Sequence, residues 1–199
     1  MGDGVKQDCL FEVAASHGGY FTTAEARACG YSWALLSHHR RGGRFDRVRR
    51  GLYKLRQYPS SPRQEVMEAW LAAGPGAVVS HESALDLLGL ADAIPGSIHI
   101  TIPRSRRRWR PPPGVSLHTT NRPSGAGEVV ERAGMSVTAP ARALLDVAEA
   151  GGSPDQVSLG IRQAIGRGLV SPERLLASAG ARGRRVEALV AAVVGTRPD

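Results

Sequence analysis

Apolar residues in the first quarter of the chain recur at helical spacing in short bursts, each closed by glycine. Val5, Cys9, Phe11, Val13 and Ala14 lie among polar positions and predict an amphipathic helix over 5–16, ended by Gly18-Gly19. Tyr20-Phe21-Thr22 is a short extended piece, and Thr22 stands three residues before Glu25, the spacing of a capping box. A second helix therefore begins there and runs through Ala24, Ala26 and Ala28 to Gly30, a residue able to take the left-handed turn that closes a helix. Ser32 caps a third helix, Trp33 to Arg41, which stops at Gly42-Gly43. Positions three and four apart share a side, so Leu35, Leu36 and His39 turn to the core while Trp33, Ala34, Ser37, His38 and Arg41 face outward.

Two extended runs follow, 44–48 and 52–55, around Arg49-Arg50-Gly51, where glycine supplies the positive φ of a tight hairpin. Apolar alternation breaks between Phe45 and Val48, which predicts a bulge. Between Arg44 and Arg56 stand six basic residues and the single Asp46. Turn-linked helices leading into a cationic hairpin make a winged helix, and the function to weigh first is binding of duplex DNA. The candidate DNA contacts are Thr22 and Thr23 at the start of the second helix, with Trp33, Ser37, His38 and Arg41 toward bases. Arg44, Arg47, Arg49 and Arg50 are placed on the backbone or minor groove. Plainer readings stand beside these: Trp33 covers the apolar base of its helix, and a charge run is a solvated face. His38 and His39 have no Cys or carboxylate at zinc-ligand spacing, so neither a metal nor another cofactor is expected.

Tyr58-Pro59-Ser60-Ser61-Pro62 interrupts the pattern and divides the chain into a winged-helix domain, 1–58, and a second domain, 59–199. The fold class is α+β, with a mixed α/β second domain that ends in several helices. A helix over 63–73, a short strand at 77–79 and a helix from the cap Ser80 to Leu88 come first. His81, Glu82, Ser83 and Asp86 crowd that helix's first turns, but a capped amphipathic helix accounts for them with fewer assumptions than an active site does. Ile98, Ile100 and Ile102 alternate with Ser97, His99 and Thr101 as a strand, and 115–119, 128–132 and 135–138 are further strand candidates. Helices are expected over 141–150, 154–166, 171–179 and 184–194, with proline after a serine cap opening two of them. Asp146 sits four residues after Arg142, so an ion pair is the simpler reading of that carboxylate.

Arg104, Arg106, Arg107, Arg108 and Arg110, with Trp109 among them and three prolines after, make the densest charge of the chain. The prolines argue for an exposed loop. Its candidate partners are DNA, a second nucleic acid shared with a protein partner, or an acidic face of such a partner; a solvated loop is the bland alternative, against which the aromatic Trp109 weighs.

Tyr20 to Leu55, with SHESALDLLGL at 80–90, IHITIPRS at 98–105 and VTAPARALLDVA at 137–148, resembles in that order the AbiEi-type antitoxins of bacterial type IV toxin–antitoxin systems. The resemblance implies an antitoxin that represses its own operon through the winged helix. It also implies opposition to a cognate nucleotidyltransferase-like toxin, mainly through the second domain. His39 departs from the pattern, standing where such recognition helices commonly carry an aliphatic residue.

Charge agrees with a polyanionic partner. The 199 residues carry a net +8; 1–62 hold ten Lys and Arg against five acids, and 63–199 sixteen against thirteen. Arginine outnumbers lysine 24 to 2, and both lysines, Lys6 and Lys54, precede the second domain, which removes the lysine a paired-acid nuclease needs there. No Asp-x-Asp pair of the kind that holds Mg²⁺ in nucleotidyl transfer occurs, nor a P-loop or a Gly-x-Ser-x-Gly elbow, so the chain reads as a non-enzyme and not as the toxin. Cys9 and Cys29 read as free, buried small residues. With no membrane-length apolar run and no signal-peptide pattern at the N-terminus, a cytoplasmic protein is expected. Two alternatives stay open: a module that masks a toxin by direct contact, with DNA binding secondary, and a stand-alone winged-helix regulator. An RNA-binding or nucleic-acid-processing role is a third, and the oligomeric state is not legible.

Overall fold

A computed structural model describes residues 3–92, 95–121 and 125–195, which form two compact units. Among these residues the first comprises 3–77 with 133–135, and the second 78–92, 95–121, 125–132 and 136–195. The division thus falls after Ala77 and not at 58/59, because the helix after the proline-rich segment is tied to the wing: Lys54 Nζ donates to Gln64 Oε1 at 3.4 Å and Arg49 Nε to Glu68 at 2.5 Å.

In the first unit the elements are α1 (Asp3–Ser16), β1 (Tyr20–Thr22), α2 (Thr23–Ala28), α3 (Trp33–Arg41), β2 (Phe45–Arg49), β3 (Leu52–Leu55) and α4 (Gln64–Ala73). The strands form an antiparallel sheet in the order β1-β3-β2, with a register shift between Arg47 and Arg49 where the broken alternation predicts a bulge. The predicted capping box is complete. Thr22 Oγ1 accepts from the Glu25 N–H at 3.2 Å, while the Glu25 carboxylate accepts from the Thr22 N–H at 2.7 Å. Such a cap contributes about 1 kcal/mol. Phe21, wholly buried, centres the core, edge-on to Phe45 at 5.0 Å and stacked on Tyr53 at 5.5 Å. Leu10, Ala14, Ala26, Tyr31 and Leu36 close around it from the three helices and their connections. Gly19 has φ +91 and lies against the Tyr58 ring, where a Cβ would meet ring carbon at 2.4 Å. Only glycine serves there.

Cys9 and Cys29 are not free. They form a disulfide, with 5.6 Å between their Cα atoms. The reason is packing: α1 and the end of α2 bury the two residues against the same core, a proximity that their 20-residue separation does not announce.

In the second unit a five-stranded mixed sheet runs in the order β6-β5-β4-β8-β7, from β4 (Val78–Val79), β5 (Ile98–Pro103), β6 (Val115–Thr120), β7 (Val129–Arg132) and β8 (Met135–Thr138). β4 pairs antiparallel with β5 and parallel with β8, and β5 pairs parallel with β6. Side chains alternate across a strand, so the pairings Val79↔Ile100 and Val79↔Val137 put three wholly buried aliphatic residues on one face. Ser80, His99, Thr101, Ser116 and His118 fall on the other, a polar face lying beside α5 (His81–Leu88). α6 (Pro140–Ala150), α7 (Pro154–Gly166), α8 (Pro172–Gly180) and α9 (Arg184–Gly195) complete the unit, burying Leu144, Ile161, Leu175 and Val190. Gly160 lets α7 approach α6 closely, since a Cβ there would meet Leu144 at 2.7 Å. Among the described residues no helix is long and apolar enough to cross a membrane.

Candidate functional site

Ser32 fixes the start of α3 by accepting from the Leu35 N–H at 3.1 Å, and from that start the helical period sorts the side chains. Leu36 and His39 are buried and Leu35 half-buried, as the pattern predicts. His39 occupies its aliphatic-type position by packing its ring against Phe45 and Tyr31, at 5.4 and 5.8 Å. Outward, Trp33, Ser37 and Arg41 follow one another at four-residue intervals, with Ala34 and His38 in the neighbouring row. Trp33 is 60% exposed, too bare for a core cover, and the Arg27 guanidinium lies 6.0 Å from its ring centroid. Arg27 was not among the sequence candidates; it joins this surface through that contact. His38 and Arg41 are exposed and Ser37 is half-buried.

The two threonines have other employment. The Thr22 hydroxyl serves the capping box, and Thr23 donates its N–H to the Gly51 carbonyl at 2.9 Å, with its hydroxyl at 3.3 Å. This pair of bonds ties the wing turn to the first residue of α2. On the wing, Arg44, Arg47, Arg49 and Arg50 are all exposed. Arg49 is paired with Glu68, and Arg56 grips Asp46 with its Nη2 at 2.7 Å, holding that carboxyl below the usual carboxylate range. Arg41, Arg44, Arg47 and Arg50 have no carboxylate partner among the described residues. Four uncompensated guanidinium groups beside an exposed helix face carrying an aromatic, a hydroxyl and an imidazole can hold phosphates and read base edges.

The second unit carries its own cationic segment. A 3₁₀ turn at Arg104–Arg106 follows β5, and Arg104, Arg107, Arg108 and Arg110 are exposed, with Arg106 and Trp109 half-buried. The Trp109 N–H donates to the Arg106 carbonyl at 2.8 Å, so the segment is folded on itself, with Arg104, Arg107, Arg108 and Arg110 outward.

Sequence reading missed a cluster in the same unit. The parallel register pairs His99 with Ser116 and Thr101 with His118, which brings His99 and His118 together on the polar face, Nδ1 to Nε2 at 3.0 Å. His81, the first residue of α5, joins them with its ring stacked on His118 at 3.7 Å. Its φ is +53, a left-handed conformation that costs a non-glycine residue about 1–3 kcal/mol. Burial, with His118, His99, Arg142 and Arg182 adding positive charge nearby, pushes the His81 imidazole down to about 3. Burial likewise lowers His118, helped by His99. The Ser80 hydroxyl, predicted as a helix cap, instead accepts from Thr101 Oγ1 at 2.7 Å and lies 3.0 Å from His81 Nδ1. Glu82 stands 3.4 Å from His99 Nε2. Only the first-turn residues His81, Glu82 and Ser83 were visible as a group in the sequence; their strand partners were not.

Asp146, 8% exposed, is an ion-pair residue: Arg142 Nε lies 3.5 Å away as its spacing predicts, and Arg182 Nη1 closer at 2.8 Å.

Residues 10–55 match the family described as transcriptional regulator, AbiEi antitoxin, and residues 76–193 match the AbiEi antitoxin C-terminal domain. No curated protein matches the chain. Among solved structures, the crystal structure of the RV2827C protein from Mycobacterium tuberculosis is similar with a TM-score of 0.56 at 18% identity, over 96% of this chain and 76% of that one. At that identity the likeness is one of fold.

Proposed function

This chain belongs to the AbiEi antitoxin family, and from that membership we propose that it binds promoter DNA of its own operon through α3 and the wing, and neutralises a nucleotidyltransferase-like toxin mainly through the second unit. Trp33, Ser37 and His38 read bases; Arg41, Arg44, Arg47 and Arg50 hold phosphates or enter the minor groove, with Arg49 and Arg27 beside them. Thr22 and Thr23 contribute by positioning the start of α2 and the wing turn. The protein acts in the cytoplasm and without catalysis of its own.

The observation that carries this reading is the set of exposed, carboxylate-free arginines contiguous in sequence with an exposed recognition-type helix face. Four phosphate contacts give a slope of log affinity against log salt of roughly −4. Titrating a labelled fragment of the operon's promoter at several salt concentrations tests it, and a slope near zero overturns it. Trp33→Ala and His38→Ala should narrow the gap between promoter and random DNA while leaving that slope in place.

A second reading has its own support in the exposed arginines of 104–110, which suit an acidic protein face. There the second unit masks the toxin by contact and DNA binding is secondary; co-purification of the pair through high salt, with loss on substitution of Arg107 and Arg108, favours it.

A further inference from the structure

We propose that His81, His99 and His118 form a binding site for one divalent transition-metal ion of the zinc class, with Glu82 as the carboxylate that orients His99. One ring nitrogen from each of the three histidines lies within 4.8 Å of the other two. A tetrahedral ion about 2.0–2.1 Å from each nitrogen separates its ligands by about 3.4 Å. The 3.0 Å gap between His99 Nδ1 and His118 Nε2 already matches that to within a few tenths of an ångström. The nitrogen of His81, within 4.8 Å of the other two, has to come closer by about 1.4 Å at most.

The outward nitrogens support the assignment. A metal-bound imidazole usually gives its second ring N–H to a carboxylate, carbonyl or hydroxyl, which fixes the tautomer and aims the free lone pair. His99 has Nε2 against Ser97 Oγ at 3.1 Å and Glu82 at 3.4 Å, leaving Nδ1 toward His118. His81 has Nδ1 against Ser80 Oγ at 3.0 Å, and that hydroxyl is itself fixed by Thr101. With those outward nitrogens protonated, the ligand set is Nε2 of His81 and Nδ1 of His99, joined by Nε2 of His118, the nitrogen that faces His99.

The backbone points the same way. His81 sits in a left-handed conformation at the start of α5, where an ordinary helix start would spare it that strain, and that conformation holds its ring over His118; to share an ion with His118 the ring must turn from this stack to edge-on. Three imidazoles with no thiolate select zinc, copper or nickel over magnesium or calcium. They leave one coordination position, and the half-buried state of His99 and His118 leaves room for water to take it. The rival is a layer of neutral histidines satisfied by one another and by the serines.

The experiment uses the full chain, stripped with chelator and titrated with Zn²⁺ by calorimetry and with Co²⁺ by visible absorption. One equivalent of Zn²⁺ bound, and the intense d–d band of four-coordinate Co²⁺, is the expected result. His118→Gln should weaken binding at least about tenfold and Glu82→Gln about tenfold or more, while His38→Ala leaves it unchanged. Absence of stoichiometric binding in the folded wild type, a weak six-coordinate Co²⁺ spectrum, or equal binding by His118→Gln overturns the proposal in favour of the metal-free layer. Should His118→Gln fail to fold, the wild-type Co²⁺ spectrum alone decides.

Discussion

Arg49 donates from Nε to the Glu68 carboxylate at 2.5 Å, so on the proposed DNA-binding reading this wing arginine would meet a phosphate while already holding an anion of its own unit. That phosphate would have to displace or share with the carboxylate, which makes Glu68 an internal competitor under the proposed function. Glu68→Gln should therefore tighten promoter binding and steepen the salt slope by about one further phosphate. Both are read from the same titration. Because Arg49 is well exposed, losing the pair should change stability by less than about 1 kcal/mol.

Arg49→Ala combined with Arg50→Ala removes two of the exposed wing arginines. Promoter affinity should fall, the salt slope should drop by about 1 to 2, and protection against the toxin should stay largely intact. Repression in a reporter strain and survival on toxin expression measure the two separately. Lost protection with unchanged repression would reverse the division of labour between the units.

The Cys9–Cys29 bridge closes a loop across a separation of 20 residues in the first unit. Loop-closure entropy assigns such a link about 3 kcal/mol. Reduction, or Cys9→Ala with Cys29→Ala, should lower the melting temperature of the first unit by several degrees. Equal melting with and without reductant would show that helix packing alone holds α1 on α2.

Asp146→Asn keeps the side-chain volume and removes a buried charge from between Arg142 and Arg182. Arg182 keeps its bond to Glu149, and Arg142 its bond to Glu128, so the loss should be moderate, about 2 kcal/mol. Chemical denaturation measures it. Promoter binding should not change, because the residue lies in the second unit.

Legibility in the sequence followed locality. The bounds of α3 were readable because a serine cap and a glycine pair punctuate them, and its outward face because one period governs nine residues. Irregular alternation disclosed even the wing's bulge. Tertiary proximity was silent. The pairing of Cys9 with Cys29 depends on how two helices meet, and Arg182 reaches Asp146 across the two intervening helices α7 and α8. His99 and His118 are neighbours only through a parallel pairing of β5 with β6, and a parallel pair has no hairpin turn to advertise its register. α4 read as part of the second domain because proline and serine precede it, whereas its polar side chains reach back to the wing.

The sheet of the second unit has one more implication. The register that stacks Ile100 beside Leu117 is also the one that sets His99 and His118 side by side, and sliding either strand by a single residue would turn that strand's own imidazole to the aliphatic face and its aliphatic side chains to the polar one. Imidazole spacing is therefore held with the stiffness of an aliphatic interior, not the latitude of a surface loop.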